Sequence, residues 1–235
     1  MNSIMMDIYS IMKDDTIHRA NEPAGPARED VSSGLSARIA QRIHSLRTGQ
    51  RMSLEALAAR SGVSRSMISL IERNETSPTA VVLEKIATGL NVVLAALFDA
   101  PTVEGQPDRT ATLARRADQA SWRDPNSGYL RRNVSPEMAS TSSGLMQSPI
   151  QIVDVAFPAG ARVAYETATR NIPVHQQVWV LDGAMQITVG EETHQLDSGD
   201  CLAFALDRPV AFHNPTADTT RYAVVIATLP APPRR

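Results

Sequence analysis

Ser53-Leu54-Glu55-Ala56-Leu57-Ala58-Ala59-Arg60-Ser61-Gly62-Val63-Ser64-Arg65-Ser66-Met67-Ile68-Ser69-Leu70-Ile71-Glu72-Arg73-Asn74 is the stretch whose reading decides the fold. Leu54, Leu57 and Ala58 recur at helical spacing, and Ser53 ahead of them is an N-cap. Ser61-Gly62-Val63 breaks the period, and Ser64 caps a second run bearing Met67, Ile68 and Ile71. Two helices this short cross steeply only where a small side chain sits at the contact and a glycine takes the turn. Ala58 and Gly62 supply both. If Val63, Ile68 and Ile71 anchor the second helix to a core, Arg65, Ser66, Ser69 and Leu70 project from its opposite face.

Working outward, Leu35, Ile39, Ile43 and Leu46 are spaced 4, 4 and 3 apart, the stripe of an amphipathic helix. Residues 74–78 read as a loop. Thr79 opens a further helix with Val82, Leu83, Ile86 and Leu90, and residues 92–98 fit a short fifth. The sequence therefore predicts an all-α domain of five helices over residues 34–100. Residues 1–33 are polar and aperiodic and read as a disordered tail. A Pro- and Gly-marked linker covers 101–109. Segments 150–157, 177–181, 185–189, 201–206 and 222–228 are short and rich in β-branched or aromatic residues, with Gly, Pro, Asp and Asn between them. They predict an all-β sandwich or barrel over 110–229, followed by a tail at 230–235.

The net charge of −2 is unevenly spread. Residues 31–100 carry eight basic and five acidic side chains, net +3, while residues 101–235 carry 12 and 14, net −2. Positive charge thus collects in the helical segment, as neutralising phosphates requires. A single cysteine, Cys201, precludes an internal disulfide and a thiolate zinc cluster; a small core residue is the expected role, ahead of a redox switch. No apolar run approaches the roughly 20 residues of a membrane span, and the N-terminus shows no charged leader with an apolar core. The expectation is a cytoplasmic protein without membrane contact.

Residues 38–99 resemble the phage-repressor-like helix-turn-helix domains, the xenobiotic-response-element family. Leu57-Ala58, Ser61-Gly62-Val63-Ser64, Ile71-Glu72 and Ser77-Pro78-Thr79 carry the resemblance. It implies a transcriptional regulator whose recognition helix, residues 64–73, enters the major groove. Arg65 and Ser66 would meet base edges, with Ser69 and Leu70 one turn on, and Arg65 suits a bidentate contact to guanine. Ser53, Arg73, Asn74 and Thr79 would hold phosphates, assisted by helix N-termini, with Ser64 at the start of the helix. Ser53 and Ser64 are equally explained as caps. Leu54 stands where the family often has glutamine, leaving contact with a thymine methyl. The resemblance also implies that Arg47 pairs with Glu72 inside the domain. Arg38, Arg42 and Arg60 are read as a solvated face.

A second resemblance, to the cupin family, covers residues 149–228 and more loosely 110–148. Residues 178–190, read as strand, tight turn and strand, carry it with Leu196-Asp197-Ser198-Gly199-Asp200 and Asn214-Pro215. It implies a double-stranded β-helix barrel. Metal-binding cupins place histidines and a glutamate where this chain has residues near Thr169–Ile172, Gln176 and Val210, so neither metal nor other cofactor is expected. His175, His194 and His213 are read as surface or satisfied histidines. A cavity lined by Val178, Val180, Phe204 and Val210, with Gln176, Tyr165 and Arg170 as polar handles, would take a small effector; the alternative is a filled core serving dimerisation. The expected assembly is a homodimer on a double-stranded operator, acting as a repressor or dual regulator, with no catalytic residues. A cupin-type enzyme with an accessory helix-turn-helix domain, and a scaffolding protein using the helices for protein contacts, are the alternatives.

Overall fold

In the computed structural model, residues 28–98, 113–136, 148–166 and 174–228 are described. The expected linker at 101–109, the tail at 230–235 and most of the expected N-terminal tail lie outside them. Helix α1 (Arg28–Gly49) begins six residues inside that expected tail. It buries Leu35, Ile39 and Ile43, the stripe read from the sequence. Three short helices follow, α2 (Leu54–Ser61), α3 (Arg65–Glu72) and α4 (Ala80–Gly89).

Their N-termini are capped as the serines and threonine suggest. Ser53 Oγ accepts from the Ala56 N–H at 3.1 Å and Ser64 Oγ from the Met67 N–H at 3.2 Å. Thr79 Oγ1 accepts from the Val82 N–H at 3.3 Å. Gly62 ends α2 at φ 68°, its N–H on the Ala58 carbonyl, a conformation that glycine adopts without steric cost.

The expected fifth helix is only a 3-10 turn, Leu94–Leu97. The helical segment therefore has four α-helices. The Ala96 N–H donates to the Val93 carbonyl at 2.9 Å and the Phe98 N–H to the Ala95 carbonyl at 3.0 Å, the three-residue spacing of a 3-10 turn.

After a 3-10 turn at Arg116–Asp118, the regular structure of the described residues beyond 112 is antiparallel β. The strands are β1 (Ser121–Arg123), β2 (Leu130–Asn133), β3 (Ile150–Phe157), β4 (Arg162–Tyr165) and β5 (Val174–Asp182). They continue with β6 (Ala184–Val189), β7 (Glu192–Asp197), β8 (Cys201–Ala205), β9 (Val210–His213) and β10 (Thr220–Thr228). Six form one sheet in the order β1-β2-β3-β10-β5-β8, and four form a second, β4-β9-β6-β7. Val153, Val178 and Val224 are cross-strand neighbours on the inner face of the large sheet, and Met185, Ile187 and Phe212 are buried residues of the small one.

The sheets are hydrogen-bonded separately, so the closed barrel expected from the resemblance is not formed. The reason lies at the corners. Strands β5 and β6 are separated only by Gly183 yet belong to different sheets, so the expected tight turn is a corner where the chain changes layer. Gly183 sits at φ 83°, and a Cβ there would stand 3.0 Å from Thr220 Oγ1 and 3.2 Å from Thr220 Cα. Gly183→Ala is expected to destabilise the β domain by about 1–3 kcal/mol, read as a lower midpoint in urea.

A second corner is held by Asn214, which is fully buried. Its side-chain amide donates to the carbonyls of Phe157, Pro158 and Asp218, while its Oδ1 accepts from Thr216. Here the Asn-Pro signal is structural.

Residues 192–197, absent from the strand segments expected above, form edge strand β7, and His194 faces Ile187 across the ladder. A polar edge strand carries no apolar alternation by which to read it. Cys201 is exposed because its register partner is the outward-facing Trp179.

The helical and β segments share one apolar cluster. Phe98 packs edge-on against Trp122 at 5.6 Å, and the Arg131 guanidinium lies 4.7 Å over the Phe98 ring. Asp124, 2% exposed, accepts the Ala80 N–H at the start of α4 at 2.8 Å. Lys85 reaches Glu166 at 3.0 Å. Among the described residues no helix is long and apolar enough to cross a membrane.

Candidate functional site

Helix α3 presents one face to the core and the other to solvent. Ile68 and Ile71 are buried beneath it, while Arg65, Ser66 and Arg73 are exposed and Ser69 and Leu70 half-buried at its flanks. The structure thus brings Arg65, Ser66, Ser69 and Leu70 to one side, with the capping Ser64, whose Oγ lies 3.2 Å from Ser66 Oγ. Met67, an apolar residue of the same run, is 38% exposed. At about 100° per residue it falls outside the arc between Ile68 and Ile71, an apolar addition to the outward face that the sequence reading missed. Leu54 is half-buried and packs against the core. Asn74 takes φ 57° just after the helix, and Arg73 pairs with Glu75 at 3.0 Å on the surface.

Arg65 has a neighbour that periodicity did not suggest. Its Nε lies 2.6 Å from Glu55 Oε1, both side chains about two-thirds exposed. Glu55 sits in the first turn of α2. A bond from its own backbone N–H, and then the Arg65 charge, hold its carboxyl below the usual range. The pair crosses from the first helix of the motif to the second and orients Arg65 along the outward face.

The back of α3 is fixed by the pair the resemblance implied. Arg47 Nε and Nη2 each lie 2.7 Å from a Glu72 oxygen, Arg47 Nη1 donates to the Met52 carbonyl at 2.8 Å, and His44 Nδ1 lies 2.9 Å from Glu72 Oε2. Burial pushes the Glu72 carboxyl up, but the bonds from Arg47 and His44 outweigh it and leave the group below its ordinary range. The Glu72 bond raises Arg47 in turn.

The second feature is a cavity of about 90 Å³ between the sheets and the helical segment. Of the expected effector residues, Tyr165, Gln176 and Val210 line it. Val178 and Val180 are fully buried in the core, and Phe204 packs half-buried against it, so these three are not part of the lining. They share the inward parity of Gln176 but lie in the packed part of the sandwich. Arg170 lies outside the described residues.

The sequence reading missed Tyr129, Arg131 and Tyr222, which also line the cavity, and Val93 and Leu94, which bring the helical segment into its wall. Tyr129 lies in the loop just before β2, and β2, which carries Arg131, is too short to show a period. Near the small sheet, His213 Nδ1 lies 3.0 Å from Gln186 Oε1, and His175 is exposed.

Residues 43–97 match the helix-turn-helix family HTH_3. These residues form a helix-turn-helix domain of that family, and the chain is a DNA-binding transcriptional regulator. It is 28% identical over 198 residues to the HTH-type transcriptional regulator SutR of Escherichia coli strain K12, an alignment spanning 84% of this chain and 97% of SutR. Over 62 residues it is 42% identical to the HTH-type transcriptional regulator SinR of Bacillus subtilis strain 168, covering 26% of this chain and 56% of SinR. The crystal structure of an HTH_3 family transcriptional regulator from Vibrio cholerae has the same fold, with a TM-score of 0.62 at 22% identity, over 85% of this chain and 99% of that one.

Proposed function

We propose that α3 reads an operator in the major groove, with Arg65 and Ser66 on base edges, Ser69, Leu70 and Met67 beside them, and Ser53, Ser64, Arg73, Asn74 and Thr79 at the phosphates. The observation that carries this reading is the outward face of α3: a cation and two hydroxyls project from a helix whose other face is pinned by Ile68, Ile71 and the Arg47–Glu72 pair. Sequence preference comes from the fork of Arg65 on a guanine, roughly 1–3 kcal/mol of discrimination. The capped N-termini of α2 and α3 offer backbone N–H groups to phosphates, whereas the start of α4 is taken by the Asp124 carboxylate.

The active assembly in this reading is a cytoplasmic homodimer on a pseudo-palindromic site. The β domain is a cupin-like double-stranded β-helix, metal-free, that binds an effector instead of catalysing a reaction. The cavity supports this, because its inner polar groups are phenols, an amide and a guanidinium. The helical residues in its wall give a ligand a direct route to the DNA-reading segment. Selection of duplexes from a random pool by the full chain, followed by hydroxyl-radical footprinting, tests the reading. Two protected patches about 10 base pairs apart are expected. Binding without preference over random duplex at fixed salt would refute it.

Glu55 is expected to restrain this contact, since its carboxylate holds Arg65 and repels phosphate. Glu55→Gln should tighten binding to any duplex by roughly three-fold at 0.1 M salt, with a smaller gain as salt screens the charge. Unchanged or weaker binding in a fluorescence-anisotropy titration would show that the pair serves to aim Arg65.

A further inference from the structure

The cavity's own chemistry specifies what it takes. Its inner wall is aromatic and aliphatic, with Phe157, Phe212, Val155 and Val224 among its members. Into this apolar setting project the phenols of Tyr129, Tyr165 and Tyr222, the amide of Gln176 and the guanidinium of Arg131, which is only 6% exposed. The acidic side chains of the lining, Glu84 and Glu166, are at most half-buried, and Glu166 pairs with Lys85 on the surface. Tyr129 and Tyr165 place their hydroxyls 3.4 Å apart. One O–H of that pair donates to the other oxygen, and the second O–H is left to donate elsewhere.

We infer that the cavity binds a small organic anion with an apolar body, its anionic group received by Arg131 and the tyrosine hydroxyls; this rests on the cavity being the effector site. A carboxylate buried among apolar walls needs a cation and several donors to offset its lost hydration, and this cavity collects both in one place. An aromatic lining alone would suit a cation equally well, but the Arg131 charge lies among the same rings and repels one. Burial drives all three phenols above their ordinary range, against the opposing pull of Arg131, so they remain protonated donors at neutral pH.

The same anion would be felt by the DNA-reading segment. Arg131 stacks on Phe98, the residue that closes the 3-10 turn Leu94–Leu97, while Val93 and Leu94 form part of the cavity wall. Drawing the guanidinium toward a ligand alters its contact with Phe98 and, through Phe98, the packing on Trp122.

The test is calorimetric titration of the full chain with two matched series, benzoate, benzamide and benzylamine, and hexanoate, hexanamide and hexylamine, at pH 7.5. At least one carboxylate is expected to bind saturably and about tenfold or more tighter than its amide. Arg131→Met should remove that preference, and Arg131→Lys should keep part of it. If Arg131→Met does not fold, the wild-type series decides by itself. An amide or amine binding as tightly as its carboxylate would overturn the anion assignment while leaving an effector cavity. No binding in either series would overturn the anion assignment and the effector reading together.

Discussion

Replacing Arg47 with methionine is expected to destabilise the helical domain by about 3–5 kcal/mol, the cost of leaving one member of a buried ion pair without its partner. Only 11% of the Arg47 side chain and 7% of the Glu72 side chain are exposed, and the fork of the one meets both oxygens of the other. The pair joins the last turn of α1 to the last residue of α3, so the reading helix loses its rear support. Glu72→Gln should cost less, since the amide still accepts from Arg47. Urea unfolding followed by circular dichroism measures both. The pair also sets an acid limb. The Glu72 carboxyl is depressed in the folded state, so its stabilisation is complete above the ordinary glutamate range and disappears as pH falls through the folded value. In Glu72→Gln that part of the acid limb should be absent.

Asp124→Ala is expected to cost about 3 kcal/mol, because a charged acceptor with several donors is removed from a buried site. Its Oδ1 accepts the Ala80 N–H and its Oδ2 accepts from both the N–H and the hydroxyl of Ser127. The first bond crosses between the segments, tying the start of α4 to the β1–β2 turn, and α4 follows directly on the loop after α3. Exchange of the Ala80 amide should accelerate in step with the loss of stability. Asp124→Asn should lie between, since its oxygen can serve one donor while its NH2 faces the others. A stability within 0.5 kcal/mol of wild type, the range of an ordinary surface substitution, would mean that water replaces the carboxylate and the contact is not a tether.

The helical half was legible in the sequence because its signals are local. Ser53, Ser64 and Thr79 cap the helices they precede, and Gly62 takes the left-handed turn. The apolar stripe of α1 is the buried one. Strand β3 was readable to the residue, and β5, β6, β8 and β10 to within three at either end.

What escaped depends on contacts between distant residues. Nothing in 178–190 distinguishes a hairpin from a corner; that is decided by Thr220, which crowds Gly183 from another strand. Strands β1, β2, β4 and β9 have three or four residues each, too few to show alternation. The cavity shows the same division. Gln176 and Val210 were found because they stand at the positions where metal-binding cupins place ligands. Arg131 and Tyr129 come from the β1–β2 hairpin, which helical packing through Phe98 and Trp122 brings to the cavity. The Glu55–Arg65 pair is likewise a contact between helices, invisible to the period of either.

Arg65 is the residue on which operator preference depends most directly. The measurement is a gel-shift titration at fixed salt, comparing wild type and Arg65→Ala on a selected operator and on versions with each base pair changed in turn. Wild type should discriminate roughly tenfold to a hundredfold at one G·C pair in each half-site. Arg65→Ala should lose discrimination at that pair alone, keep a residual affinity for any duplex, and retain the wild-type unfolding midpoint within a small margin. Full discrimination by Arg65→Ala at every position would contradict the placement of α3 in the groove.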